Sequence, residues 1–93
     1  MPGVEVRRAD VAEALRDLRA RGVQRVVCEG GPSLNAALLE ANLVDDIFLT
    51  LAAKLVGGNN PLTIVRGRLP VRNVALRSAY ERDGELFLRY SLP

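Results

Sequence analysis

The sequence predicts an α/β domain with a mostly parallel sheet, flanking helices and a C-terminal antiparallel hairpin. Three observations carry that expectation. An apolar run, Val26-Val27-Cys28, ends in Glu29 and passes through Gly30-Gly31-Pro32 into residues at helical spacing, Leu34, Ala37, Leu38 and Ala41. A second apolar run, Ile47–Leu51, follows that helix after a short connection, which gives a strand–helix–strand unit with a right-handed crossover. Near the C-terminus Asp83-Gly84 lies between two alternating stretches, a strong short-range signal for a hairpin.

Ninety-three residues make one small domain at most, residues 1–93, of which 48% are hydrophobic. That is enough apolar content for a core, although so short a chain buries a modest share of its surface. Net charge is +2, and of thirteen basic residues only Lys54 is a lysine. The arginines are scattered and not interleaved with aromatics, so they read as solvated faces and no nucleic-acid partner is expected. One cysteine excludes an internal disulfide. With no histidine, the usual zinc sites, the Ser-His-Asp triad and the Cys-His pair are all removed. No metal and no membrane span are expected, and no signal peptide is visible, which points to a cytoplasmic protein.

The chain begins with a strand stub over Gly3–Arg8, where Val4 and Val6 alternate with Glu5 and Arg7. Asp10 with Glu13 three residues on forms a capping box that starts a helix. Val11, Ala14, Leu15 and Leu18 make its apolar stripe, with Arg16, Asp17, Arg19 and Arg21 facing out, and Gly22 closes it. Val23–Glu29 then reads as a buried parallel strand covered on both faces, with Cys28 as a small core residue. Pro32 suits the first helical position, where its missing N–H costs nothing, and this helix runs to about Ala41. Gly57-Gly58-Asn59-Asn60-Pro61 is the clearest loop, preceded by Lys54 at a solvated strand end. The final hairpin pairs Val71–Tyr80 with Glu85–Leu92 around Glu81-Arg82-Asp83-Gly84. Leu86, Leu88, Tyr90 and Leu92 share one face of the second strand; Val74, Leu76, Ser78 and Tyr80 share one face of the first.

Chemistry concentrates at the Gly-Gly-Pro turn. A glycine turn opening a helix leaves backbone N–H groups free at the helix N-terminus, where a phosphate can reach them. The same turn also serves plain packing in many α/β proteins, so by itself it leaves both readings open. Glu29 is sharper: a carboxylate at the carboxyl end of a buried strand occupies a desolvated position that a structural role rarely needs.

The run Val27-Cys28-Glu29-Gly30-Gly31-Pro32-Ser33-Leu34-Asn35, then Leu38-Leu39, Leu43-Val44-Asp45-Asp46 and Lys54-Leu55-Val56-Gly57-Gly58, resembles the reductase domain of the bifunctional riboflavin biosynthesis deaminase/reductase. The match covers about Val4 to Gly58 and corresponds to the C-terminal half of that domain. Asp46 stands where the family usually has Glu, and Ala53 where it often has Pro. The resemblance implies a dihydrofolate-reductase-like fold and NADPH-dependent reduction of a ribosylaminopyrimidine 5′-phosphate to its ribitylamino product. It also implies a homodimer, or pairing with the N-terminal half of the domain. Carried over by motif, Glu29 would be the catalytic and substrate-binding carboxylate, beside the substrate ribose. Gly30, Gly31, Pro32, Ser33, Leu34, Asn35, Ala36 and Ala37 would line the cofactor. Two other readings stand beside this one: another dihydrofolate-reductase-like oxidoreductase, and a non-catalytic oligomerisation remnant.

Overall fold

A computed structural model of the chain describes residues 3–59 and 63–93. Two helices come first, α1 (Val11–Ala20) and α2 (Pro32–Glu40), followed by three strands, β1 (Asp46–Leu51), β2 (Ala75–Arg82) and β3 (Glu85–Ser91).

Both helices begin and end where their local chemistry dictates. The Asp10 side chain caps α1 by accepting from the Glu13 N–H at 2.8 Å. At the other end Gly22, at φ +91°, turns the chain out of the helix. Its N–H donates to the Arg19 carbonyl and that of Val23 to the Leu18 carbonyl, two reverse bonds that satisfy orphan carbonyls. The same device closes α2 with asparagine in place of glycine: Asn42 sits at φ 56°, and Asn42 and Leu43 donate to Leu39 and Leu38. Asparagine tolerates this left-handed conformation better than most residues.

The three strands form one antiparallel sheet in the order β1-β3-β2. Arg82 pairs with Glu85, so the hairpin loop is the two residues Asp83 (φ 52°) and Gly84 (φ 81°). Positive φ at both positions matches a turn whose twist suits the flanking strands. The Asp-Gly turn was expected, but the first strand begins at Ala75 rather than Val71 and runs on through Glu81 and Arg82; the strand faces also differ from expectation. Leu76 lies opposite Tyr90 and Ser78 opposite Arg89, which leaves Arg77 as the extra residue of a bulge. Beyond it the pattern changes face. Ala79 joins Leu88 and Leu49, while Ser78 and Tyr80 join Arg89, Phe87, Phe48 and Thr50. A sequence read at period two cannot register an inserted residue.

The mostly parallel sheet does not form among the described residues, and every pairing there is antiparallel. Gly3–Arg8 and Val23–Glu29 carry no strand ladder, and β1 pairs with β3 rather than with Val23–Glu29, so the crossover unit does not close as a sheet. Apolar patterning reports which faces want cover. It does not supply the neighbour whose N–H and C=O groups make a strand. Val23–Glu29, expected to be buried, is exposed, with Val27 at 87%. Of the expected loop, Gly57, Gly58 and Asn59 are irregular, and Asn60 and Pro61 lie outside the described residues.

Among the described residues only Ala36, 4% exposed, is a buried hydrophobe, and neither helix packs on the sheet. The Cα radius of gyration is 16.2 Å, against about 12 Å for a compact chain of this length. The accessible surface is 8442 Å², against about 5,300 Å² for a compact protein of this mass. The chain is thus an open arrangement of a helical part and a sheet part, each with apolar faces toward solvent.

Candidate functional site

The Gly-Gly-Pro turn is built as the sequence suggests. Pro32 occupies the first helical position of α2, and Gly31 is the N-cap with no side-chain capping bond. The Gly30–Gly31 peptide is cis. The Asn35 N–H donates to the Gly31 carbonyl at 2.9 Å, the first bond of the helix. The N–H groups of Gly31, Ser33 and Leu34 precede that bond and have no acceptor among the described residues.

The two glycines differ in what requires them. Gly30 has φ +91°, and a methyl added there would meet the Asn35 Nδ2 at 3.4 Å. Backbone conformation thus accounts for Gly30 without any ligand. Gly31 has φ −77°, which any residue adopts, and a Cβ there would meet nothing within 4 Å. Neither conformation nor packing among the described residues calls for glycine at 31. The turn thus combines an unfilled position at Gly31 with three N–H groups that have no acceptor among the described residues.

Behind the turn runs a segment that the sequence did not connect to it. The Ile64 carbonyl accepts from Asn35 Nδ2 at 2.7 Å, and the Arg66 N–H donates to the Pro32 carbonyl at 3.0 Å. Gly67 approaches Ala36 so closely that an added Cβ would lie 3.1 Å from the Ala36 methyl. Further along, Arg72 Nη1 donates to the Leu39 carbonyl at 2.9 Å, completing a strap along α2. This strap divides the eight expected cofactor residues. Gly31, Ser33 and Leu34 are exposed at the turn, Gly30, Pro32 and Ala37 are half-buried, and Asn35 and Ala36 are engaged by residues 64–67. Glycine at 67 was the available signal, since a close helix approach demands a missing Cβ, but no spacing rule ties it to α2.

Glu29 and Cys28 depart from their expected surroundings. Both are exposed, because Val23–Glu29 lacks the sheet neighbours that would desolvate the strand end. The Cys28 Sγ lies 3.9 Å from Asn35 Oδ1. Glu29 and Gly30 line an open groove of about 380 Å³ whose other walls are apolar: Val11 and Leu15 of α1, Val26, and Leu34 of α2. Of the turn residues, Gly30 and Leu34 border this groove with Glu29. No cluster of His, Cys, Asp or Glu able to hold a metal ion occurs among the described residues. No described helix is long and apolar enough to cross a membrane.

Displaced acid–base equilibria lie on the far side of α1. The Glu5 carboxylate takes hydrogen bonds from Arg21 and Arg7, which hold its pKa below the ordinary value. Arg21 is raised in turn by that bond and by the Asp17 charge. Together with the Arg7–Asp17 pair these contacts tie the extended N-terminal segment to the helix; they do not reach the groove.

Comparison with known proteins gives consistent matches. The family model described as the RibD C-terminal domain matches residues 2–88. The chain is 30% identical over 91 residues to the 2,5-diamino-6-ribosylamino-4(3H)-pyrimidinone 5′-phosphate reductase of Methanothermobacter thermautotrophicus, covering 92% of this chain and 42% of that protein. It is 30% identical over 88 residues to the Aquifex aeolicus protein of the same name, covering 89% and 39%. Among solved structures, a pyrimidine reductase-like protein from Corynebacterium diphtheriae superposes with a TM-score of 0.79 at 23% identity, over 89% of this chain and 35% of that one. Acinetobacter baumannii RibD superposes with a TM-score of 0.78 at 19% identity, over 97% and 26%. These likenesses establish the fold. The chain spans about two-fifths of the length of the two reductases it matches.

Proposed function

Because the chain belongs to the RibD C-terminal domain family, we propose that it forms the cofactor-turn portion of a riboflavin-pathway reductase. The reaction is reduction of the ribosylamino group of a pyrimidine ribose 5′-phosphate to a ribitylamino group, with NADPH as the reductant. The observation that carries this reading is the turn itself. A Cβ at Gly31 would meet nothing within 4 Å among the described residues, and the N–H groups of Gly31, Ser33 and Leu34 at the same helix start have no acceptor there.

The residues present fit a dinucleotide. The pyrophosphate of a dinucleotide, two tetrahedral phosphoryl groups with a negative charge each, is favoured by several N–H donors at a helix N-terminus and by the lack of an intruding Cβ. When bound, the nicotinamide supplies the hydride. The protein's work is to orient the two reactants and keep water out. Glu29, which borders the groove with Gly30 and Leu34, is suited to accept hydrogen bonds from ribose hydroxyls or to stabilise positive charge developing at the amine-bearing carbon.

The similar proteins from Methanothermobacter thermautotrophicus and Aquifex aeolicus are named as reductases of a ribosylaminopyrimidinone 5′-phosphate, which supports the substrate class. The choice of NADPH over NADH and the roles of Glu29 and the turn rest on the resemblance and on this geometry. We propose further that the working form is an assembly, a homodimer or a pairing with the N-terminal half of the reductase domain, in the cytoplasm. The open surface of the chain supports the assembly.

Titration of NADPH fluorescence against the wild-type chain and Gly31→Val tests the reading. Binding by the first and none by the second is expected. Equal affinity removes the turn from the cofactor site. No binding by either variant, alone or with the N-terminal half supplied, favours the non-catalytic alternative.

A further inference from the structure

Asn35 was assigned to the cofactor by motif, but its side chain is committed elsewhere. The Nδ2 donates to the Ile64 carbonyl at 2.7 Å, across 29 positions of chain. The same nitrogen stands 3.4 Å from where a Gly30 Cβ would be, so it fills the concave side of the turn. Its own backbone N–H donates to Gly31. One residue thus touches both glycines and the strap that crosses α2.

We infer that Asn35 is a positioning residue of the cofactor turn: its amide pins the 63–67 strap against Gly30 and so fixes the conformation in which the N–H groups of Gly31, Ser33 and Leu34 are presented. The inference rests on the proposed reductase reading for its consequence in binding, though not for its structural content. The N-cap of this turn has no side-chain capping bond, and among the described residues no other side chain hydrogen-bonds the strap to α2 on the side of the glycines. The adjacent strap bond, Arg66 N–H to the Pro32 carbonyl, holds the strap to the first turn of α2 but does not touch the glycines. A rigid turn binds a phosphate more tightly than a mobile one, because the ordering cost is met in advance.

Asn35→Asp gives the sharpest test. It keeps the shape of the side chain but offers a hydrogen only when protonated. Above its pKa the carboxylate would face the Ile64 carbonyl with no proton between them. The titratable neighbours are the Cys28 thiol, 3.9 Å from Oδ1, Arg66 in the strap, and Glu40, whose Oε1 lies beside Gly67. Their contribution is removed by running the wild type through the same pH series.

Amide hydrogen exchange of the ligand-free chain reads the strap directly. At neutral pH the Arg66 amide of Asn35→Asp is expected to exchange about tenfold faster than in the wild type, while β3 amides are unchanged. NADP⁺ affinity by calorimetry is expected to fall about tenfold at neutral pH and to recover toward the wild type in mild acid. If the variant fails to fold, Asn35→Ser replaces it; the same loss is expected without the acid recovery. Unchanged Arg66 exchange overturns the inference, as does binding that ignores the substitution. A wild type that binds no NADP⁺ while the variant still loosens the strap instead overturns the reductase reading and leaves the positioning role standing.

Discussion

Arg77 reaches across the hairpin to Ser91, its Nε donating to the Oγ at 2.7 Å, at the point where the β2–β3 register shifts by one residue. The bond is thus made by the extra residue of the bulge itself. Both groups are solvent-accessible, so the bond itself is worth little, roughly 0.5–1 kcal/mol. Ser91→Ala should therefore lower stability by no more than that. Deleting Arg77 should cost no more than this, because it takes out only the extra residue and leaves Leu76 opposite Tyr90 and Ser78 opposite Arg89 in an unbroken ladder. Denaturant unfolding of the two variants checks both.

Gly30 and Gly31 should separate under substitution. Gly30→Ala forces a side chain into φ +91° and against Asn35, so it should destabilise by about 1 kcal/mol or more. Gly31→Val meets open space and changes only the N-cap residue, a cost of about 1 kcal/mol or less. On the proposed cofactor site its effect on NADPH should be far larger, since the side chain would take the place assigned there to the phosphate. Thermal unfolding and cofactor titration on the same samples show whether the two effects part in this way.

The contrast between those glycines also marks how far the sequence could be read. Helix boundaries were legible because caps are local: Asp10, Gly22 and Pro32 each act on the next few residues. The Asp83-Gly84 turn was legible for the same reason. The bulge at Arg77 and the strap over α2 were not, since each depends on a partner far along the chain: Ser91 in one case, Asn35 and Ala36 in the other. The parallel sheet failed differently. Val26 and Val27 do carry the apolar signature of a buried strand, yet they are exposed for want of a paired neighbour. Cys28 and Glu29 follow them into solvent. Glu29 was expected to be desolvated at a buried strand end, and it is exposed beside an open groove that the sequence did not indicate.

Glu29→Gln should leave the fold intact, because the residue is exposed and bonded to nothing among the described residues. In a complete reductase carrying this sequence it should lower turnover by about 10²-fold or more while changing NADPH affinity by less than about threefold, the pattern of a group that acts in the transition state. Steady-state kinetics beside cofactor titration checks this. Unchanged turnover would make Glu29 a bystander of the cleft.

The Glu5–Arg21–Asp17–Arg7 cluster predicts a pH effect of known sign. Glu5 has its pKa lowered on folding, by hydrogen bonds from Arg21 and Arg7 and then by their charges. Its contribution is therefore fully present above the ordinary carboxylate pKa and is lost as the pH falls through the lower folded value. Arg21→Gln should return the Glu5 titration toward the ordinary value and flatten that part of the acid limb. Carboxyl NMR titration of both proteins reads the shift. Because the pairs are exposed, added salt should weaken the effect in the wild type.

Assembly is the last expectation. The accessible surface exceeds that of a compact chain of the same mass by about 3,000 Å², and the excess is apolar in character: Phe48 is 77% exposed and Tyr80 70%, on one face of the sheet. A standard protein contact covers only about 800 Å² on each partner. One edge-to-edge strand pairing would therefore leave most of the excess in water, and the outer edges of β1 and β2 are both open among the described residues. What the surface requires is cover on the scale of an obligate interface, or of further chain packing onto the sheet and into the groove beside α1. The chain by itself should accordingly self-associate, and it should become monodisperse when the N-terminal half of the reductase domain is supplied or when a defined dimer forms. Light scattering coupled to size exclusion distinguishes these states from a lone 10.1 kDa particle. Such a particle, if it also unfolded cooperatively, would mean that the helical and sheet parts close on one another in solution, and the assembly proposal would fall.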